Sequence, residues 1–143
     1  MKIAIYEKRL PDCAKTIRQV VFEDEQGFVD EFDATDDIAT HFVVFDEDET
    51  PIGTCRVFWD MKRNTYILGR LAVIKEYRHQ NIGSLIMQEV EKYVTNIGGK
   101  SIVLHAQCQA SGFYSKNGYV ECGEIDDEQG CPHVWMKKTL EKE

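Results

Sequence analysis

The stretch from Leu68 to Gly99 constrains this chain more than any other, because it passes from an apolar strand through a polar connection into a long amphipathic helix. Leu68-Gly69-Arg70-Leu71-Ala72-Val73 has the composition of a strand, and Ile74 to Asn81 forms the connection. Beyond it Ile82, Leu85, Ile86, Val90, Tyr93, Val94 and Ile97 recur at spacings of three and four, which gives a helix with one apolar face. Gly98-Gly99 predicts its end. The segment Arg78–Ser84 opens the helix with backbone N–H groups that no intrahelical carbonyl can use, at the positive end of the helix dipole. A strand feeding such a helix start is suited to an anion, and to phosphate in particular.

A chain of 143 residues predicts one domain over 1–143, able to bury roughly two thirds of its unfolded surface. No apolar run approaches the roughly 20 residues that cross a bilayer, and the N-terminal stretch lacks a signal-peptide core, so a cytoplasmic protein without membrane partners is expected. Five cysteines without a C-x-x-C pair predict free thiols. A net charge of −8 argues against nucleic acid as a partner. The charge is also uneven: no Lys or Arg lies between Arg18 and Arg56, whereas 12 of the 25 acidic residues lie within 23–49. Arg56, Lys62, Arg63, Arg70, Lys75 and Arg78 crowd the middle of the chain. Matching regions for a cationic substrate and an anionic cofactor are one reading of that pattern, and solvated surface charge is the other.

Taken in order, residues 2–6 predict a strand, and Pro11-Asp12 a helix with Cys13, Ile17, Val20 and Val21 on one face. Residues 22–33, aromatics set among acids, predict a loop or short second helix. Residues 41–45 and 52–59 predict a hairpin around the acidic turn 46–51, which lacks the Gly and distant Glu of a calcium loop. Further strands are expected at 66–73, 101–106, 119–124 and 133–139, with a short helix over 109–117 stopped by Gly118 and a turn over 126–130. The expected class is α/β, a mixed sheet with helices on its faces.

Two motifs carry a resemblance. Arg78-x-x-Asn81-x-Gly83, placed after Arg70-Leu71-Ala72-Val73, resembles the (Gln/Arg)-x-x-Gly-x-(Gly/Ala) loop of the GNAT family of acyl-CoA-dependent N-acyltransferases. Asn81 stands where that family usually has Gly, and Asn is the non-glycine residue that best tolerates a left-handed backbone. Gln107-x-x-Ala110-x-x-Phe113-Tyr114-x-x-x-Gly118-Tyr119 resembles a second family segment, with Gln107 in place of the common Asn. Val21-Phe22-x-x-Glu25-Gln26, the spacing of Asp33, Asp37 and His41, and Pro132-His133-Val134-x-Met136 look most like the family's bacterial ElaA/YjcF-like branch.

The resemblance implies a mostly antiparallel sheet with a parallel pair splayed at the cofactor site. It implies acetyl-CoA as co-substrate and a primary amine, a small cation or a protein amine, as acceptor. It implies a cofactor site of Leu71, Ala72, Val73, Arg78, His79, Gln80, Asn81, Ile82, Gly83, Ser84, Gln107 and Phe113. Backbone N–H groups near Leu71–Val73 are suited to an oxyanion. Tyr114 stands where the family's acid stands, and a phenol of pKa about 10 can protonate a thiolate whose conjugate acid lies near 8.5. A base is also needed, for which Glu25, His41 and His133 are candidates. Gln26 and His41 are candidate substrate contacts. Transfer is expected to be direct, within a ternary complex.

Other readings compete. A metal site could be drawn from His105, Cys108, Cys122, Cys131 and His133, but their spacings match no familiar zinc pattern, and no metal is expected. The alternative function is a non-catalytic acyl-CoA-binding or interaction module with the same fold. Edge strands leave room for a homodimer.

Overall fold

The computed structural model describes residues 1–29 and 31–140. Strand β1 (Lys2–Glu7) leads into helix α1 (Asp12–Arg18), a π-helical segment (Gln19–Glu25) and a 3-10 turn (Ala34–Asp37). Strands β2 (Thr40–Phe45), β3 (Pro51–Asp60) and β4 (Thr65–Val73) follow, then a 3-10 turn (Lys75–Tyr77) and helix α2 (Ile82–Asn96). The chain continues through β5 (Ser101–Gln107), a 3-10 turn (Cys108–Ala110), α3 (Ser111–Lys116), β6 (Val120–Glu128) and β7 (Cys131–Thr139). The seven strands run in the order β1-β2-β3-β4-β5-β7-β6. β4 and β5 are parallel over Tyr66–Leu68 and Ile102–Leu104. The β1/β2, β2/β3, β5/β7 and β6/β7 pairs are antiparallel, so the mixed α/β sheet expected from the sequence is present.

The chain forms two compact units, one of Met1–Phe58 with Gly69–Val90, the other of Trp59–Leu68 with the described residues from Glu91 onward. In the first unit Ala14, Ile17, Val21, Phe22, Val43 and Ala72 make a core cluster. The helix face expected from Cys13, Ile17, Val20 and Val21 is corrected: Val20 is 43% exposed, and Phe22 is buried in its place. The cause is the π-helix. Its wider turn, marked by the Gln26 N–H donating to the Val21 carbonyl at 3.1 Å, rotates Val21 and Phe22 inward together. Gly53 of β3 allows close packing of α2, since a Cβ there would lie 3.0 Å from Ile86 Cδ1 and 3.2 Å from Ile82 Cγ2. The acidic turn is held by Asp46, whose Oδ1 accepts from the N–H groups of Asp48 and Thr50 while Oδ2 accepts from the Tyr77 hydroxyl at 2.6 Å.

In the second unit Ile102, Leu104 and Ala106 of β5 are buried with Val134 and Met136 of β7. Helix α2 ends where expected, with Gly98 at φ +91°. Gly99 has no room for a side chain: a Cβ would lie 2.3 Å from Val94 Cγ1. The expected helix face is corrected at two positions: Ile97, placed on it, is 49% exposed, and Met87, left off it, is fully buried. The expected turn over 126–130 shrinks to Gln129 and Gly130, both at positive φ, the geometry of a tight two-residue hairpin. Pairing with β7 carries the acidic run 126–128 into β6, past a bulge between Glu121 and Ile125.

Candidate active site

The first unit holds the loop before α2. Arg78 pins its base, with Nε donating to the Val73 carbonyl at 2.9 Å and the two terminal nitrogens gripping the Glu25 carboxylate at 2.6 and 2.7 Å. His79 and Asn81 both take left-handed backbone, at φ +66° and +63°, and both are exposed together with Gln80. That alternation folds the chain sharply onto the helix start, where the Asn81 carbonyl accepts from the Leu85 N–H at 3.0 Å. Left-handed backbone at Asn81 explains why Asn can stand where Gly is common, because an Asn side chain lowers the cost of that conformation. Ile82 is buried and anchors the helix start, while Leu71 and Val73 flank the buried Ala72 on β4. Arg70 has φ +54° within β4, a conformation that interrupts regular strand pleating.

The Arg78 pair bears on Glu25. Its hydrogen bonds from Arg78 hold the Glu25 carboxyl below the usual carboxylate range, which weakens it as a proton acceptor and leaves it suited to positioning Arg78. Gln26, its neighbour, is exposed.

His41 belongs to a buried ionic network of the first unit. Arg18, 1% exposed, donates to Glu31 Oε2 at 2.8 Å and to Asp36 Oδ1 at 2.7 Å. Arg56 donates to Asp33 Oδ1 at 2.7 Å and to Asp36 Oδ1 at 2.8 Å. Arg70 pairs with Glu31 at 3.0 Å and Asp33 at 3.4 Å. His41, 1% exposed, donates from Nε2 to the Asp36 carbonyl at 2.9 Å, and burial holds its pKa below the ordinary histidine value. A neutral, sealed imidazole braces the network and is out of reach of a substrate. Burial alone would raise the Asp36 carboxyl, but hydrogen bonds from Arg18, the Asp33 N–H and Arg56 outweigh it and bring the pKa to about 2. Burial pushes Glu31 up in spite of Arg70 and Arg18. The separation of charge along the sequence is thus neither a substrate lure nor solvated surface at these positions. The acids and arginines, 13 to 39 residues apart in the chain, neutralise each other.

The second unit holds the other candidates. Gln107 closes β5 and accepts a hydrogen bond from the Gln109 amide. Phe113 and Tyr114 lie half-buried on α3 with ring centroids 5.2 Å apart, and Tyr114 stands edge-on to Tyr119 at 6.2 Å. Gly118, at φ +94°, stops this helix, and the Tyr119 N–H returns to the Tyr114 carbonyl at 3.0 Å. His133 is buried on β7, where its Nδ1 meets the Cys131 carbonyl at 2.8 Å and its ring lies against His105 with centroids 4.7 Å apart. Sequence reasoning missed Glu128 beside these imidazoles, and it missed the roles of Arg18, Glu31 and Asp36. Only Asp36 sits at a recognisable spacing, as the capping-box partner of Asp33 three residues before it.

Comparison with known proteins agrees with this architecture. The family model described as an acetyltransferase (GNAT) domain matches residues 15–140. The chain is 37% identical over 139 residues to the Bacillus subtilis protein named uncharacterized N-acetyltransferase YjcF, covering 95% of this chain and 96% of that one. Among solved structures, Escherichia coli ElaA superposes with a TM-score of 0.83 at 22% identity, covering 96% of this chain and 99% of that one. An aminoglycoside 6'-N-acetyltransferase complexed with coenzyme A superposes with a TM-score of 0.78 at 17% identity, covering 100% and 99%. These last two share the fold, and the sequence matches carry the family assignment. With both motifs on the elements expected of them and a family model spanning nearly the whole length, the chain belongs to the GNAT acetyltransferase family and is an acyltransferase.

Proposed function

We propose that the protein transfers an acetyl group from acetyl-CoA to a primary amine by direct attack. The observation that carries this reading is the loop from Arg78 to Ser84, with two exposed left-handed residues, a pinned arginine at its base and a fifteen-residue helix behind it. Backbone N–H groups at such a helix start suit the pyrophosphate of the cofactor. Leu71, Ala72 and Val73 would run beside its pantetheine arm and offer N–H groups to the oxyanion. The coenzyme A bound in the aminoglycoside enzyme of the same fold supports this choice of donor.

In the reaction the amine nitrogen forms a bond to the thioester carbon, a tetrahedral oxyanion develops, and the carbon–sulfur bond then breaks. The leaving thiolate takes a proton from the Tyr114 hydroxyl. The amine must arrive neutral, and its proton leaves to solvent; His133, buried with Nδ1 held by the Cys131 carbonyl, is not assigned the part of base. Glu25 we assign to positioning Arg78, and His41 to the ionic network. Gln26, exposed beside Glu25, is kept as a substrate contact. Cys55 is no nucleophile, since complete burial pushes its thiol up. The net charge of −8 favours the approach of a cationic acceptor.

Thiol release from acetyl-CoA across a panel of amines tests the activity. Tyr114→Phe is expected to lower kcat by about 10²-fold or more while cofactor affinity holds within about twofold. Unchanged turnover would remove Tyr114 from the mechanism.

A further inference from the structure

Three lone pairs meet on one face of the ladder formed by β5, β7 and β6. His105 pairs with Trp135 and Gln107 with His133, while Asp126 pairs with His133 and Glu128 with Cys131. Alternate residues of a strand share a face, so this register brings His105, His133, Asp126 and Glu128 to one side. Each imidazole has one nitrogen already engaged by an acceptor. His133 Nδ1 lies 2.8 Å from the Cys131 carbonyl, and His105 Nε2 lies 2.7 Å from Asp126 Oδ1. Since neither oxygen donates, those nitrogens carry the protons, and the tautomers follow from the bonds. The remaining nitrogens, His105 Nδ1 and His133 Nε2, then lie 3.9 and 3.5 Å from the same Glu128 Oε2. The three atoms all lie within 4.8 Å of one another. Three acceptors gathered so closely repel one another unless a proton or a metal cation stands among them.

We propose that His105, Glu128 and His133 form a binding site for a divalent transition-metal ion, with Zn2+ the best match. Two imidazole nitrogens and one carboxylate oxygen suit zinc, which binds such ligands at about 2.0–2.2 Å and so wants them about 3.4 Å apart in a tetrahedral shell. The two Glu128 distances of 3.5 and 3.9 Å approach that spacing, and rotation of the Glu128 side chain, 55% exposed, with a small shift of the 22% exposed His105 ring would bring all three atoms onto one shell. The outer contacts are those a metal site needs. The Asp126 carboxylate and the Cys131 carbonyl orient the two rings through their distal nitrogens, and the Trp135 ring stacks on His105 with centroids 4.7 Å apart. The side chain of His133 is 5% exposed and that of His105 22%, so the ion would enter from the Glu128 side and keep a solvent-facing position. Held by β5, β6 and β7 together, it would fasten the fully exposed edge strand β6 to its neighbours.

The test uses full-length protein stripped with EDTA, titrated with Zn2+ by calorimetry and with Co2+ by visible absorption. One equivalent bound at about micromolar affinity or tighter is expected, with Co2+ bands typical of low coordination number and a higher Tm in the loaded form. Glu128→Gln, on the surface, and His105→Gln should each weaken Zn2+ by at least about tenfold, and Asp126→Asn by about tenfold or less. Circular dichroism on the same samples separates lost binding from lost fold, and Glu128→Gln decides the matter should His105→Gln not fold. No stoichiometric uptake by folded wild-type protein would overturn the proposal, as would uptake that Glu128→Gln and His105→Gln leave unchanged.

Discussion

The two units treat ionisable side chains in opposite ways. In the first, Arg18, Arg56 and Arg70 meet Glu31, Asp33 and Asp36 in a network where donors and acceptors face each other. In the second, His105, His133 and Glu128 bring one ligand atom each within 4.8 Å of one another. A buried cluster whose charges cancel holds structure, because its charged members pair with one another, although here Arg56 Nε and His41 Nδ1 find no hydrogen-bond partner among the described residues. One whose acceptors outnumber its donors invites a further ion. Balance between donors and acceptors, more than the number of charged residues, separates the two roles.

The largest effect should come from unbalancing the first cluster. Arg18→Met leaves Glu31 and Asp36 without their main partner, and breaking a buried pair in this way costs about 3–5 kcal/mol. For a chain of 143 residues that lowers Tm by roughly ten degrees, which calorimetry would read directly. A loss under about 1 kcal/mol would mean that the network contributes little.

Acid should undo the same cluster more gently. The Asp36 carboxyl is depressed in the folded state to about 2, so its stabilisation is fully present above the ordinary carboxylate pKa and is lost as pH falls through about 2. The change amounts to about 2 kcal/mol, visible in urea unfolding between about pH 4 and pH 2. His41, lowered by burial, adds acid sensitivity below its unfolded value near pH 6.5, since the unfolded chain takes up that proton first. Glu31, raised by burial, works in the opposite sense. Asp36→Asn should flatten the profile between about pH 4 and pH 2, and an unchanged slope would contradict the assignment.

Two smaller effects sharpen the comparison at the loop. Asn81→Val should cost about 1–2 kcal/mol, because a β-branched residue resists the left-handed backbone, whereas Asn81→Gly should be tolerated. Glu25→Gln should raise the KM for acetyl-CoA several-fold and keep kcat within about threefold, since the Arg78 pair is exposed and its role is to position. A collapse of kcat with KM unchanged would return Glu25 to the part of base.

How legible all this was in the sequence depended on range. Strands and helix α2 were legible because apolar residues repeat with the period of the element, and Gly98-Gly99 and Gly118 mark their ends. The left-handed backbone of Asn81 could be argued from residue type alone. The π-helix at Gln19–Glu25 could not, for its hydrogen bonds leave no separate signature in composition. Nor could the ionic network, which joins Arg18, Arg56 and Arg70 to Glu31 over separations that only the fold closes. His105 and His133 stand out in the sequence beside three cysteines at spacings that match no zinc pattern. Their meeting with Glu128 depends on the register of β5, β6 and β7, which the acidic run 126–128, read as part of a turn over 126–130, concealed.

The most direct test of the acyltransferase reading is thermal unfolding with and without acetyl-CoA, on wild-type protein and on Gly83→Asp. At about 100 times its dissociation constant the cofactor should stabilise the fold by about 2.7 kcal/mol, several degrees for this chain, and the aspartate should abolish that shift by setting a like charge beside the pyrophosphate. No shift in wild-type protein at saturating acetyl-CoA, or a shift that survives in Gly83→Asp, would contradict the placement of the cofactor on the loop before α2.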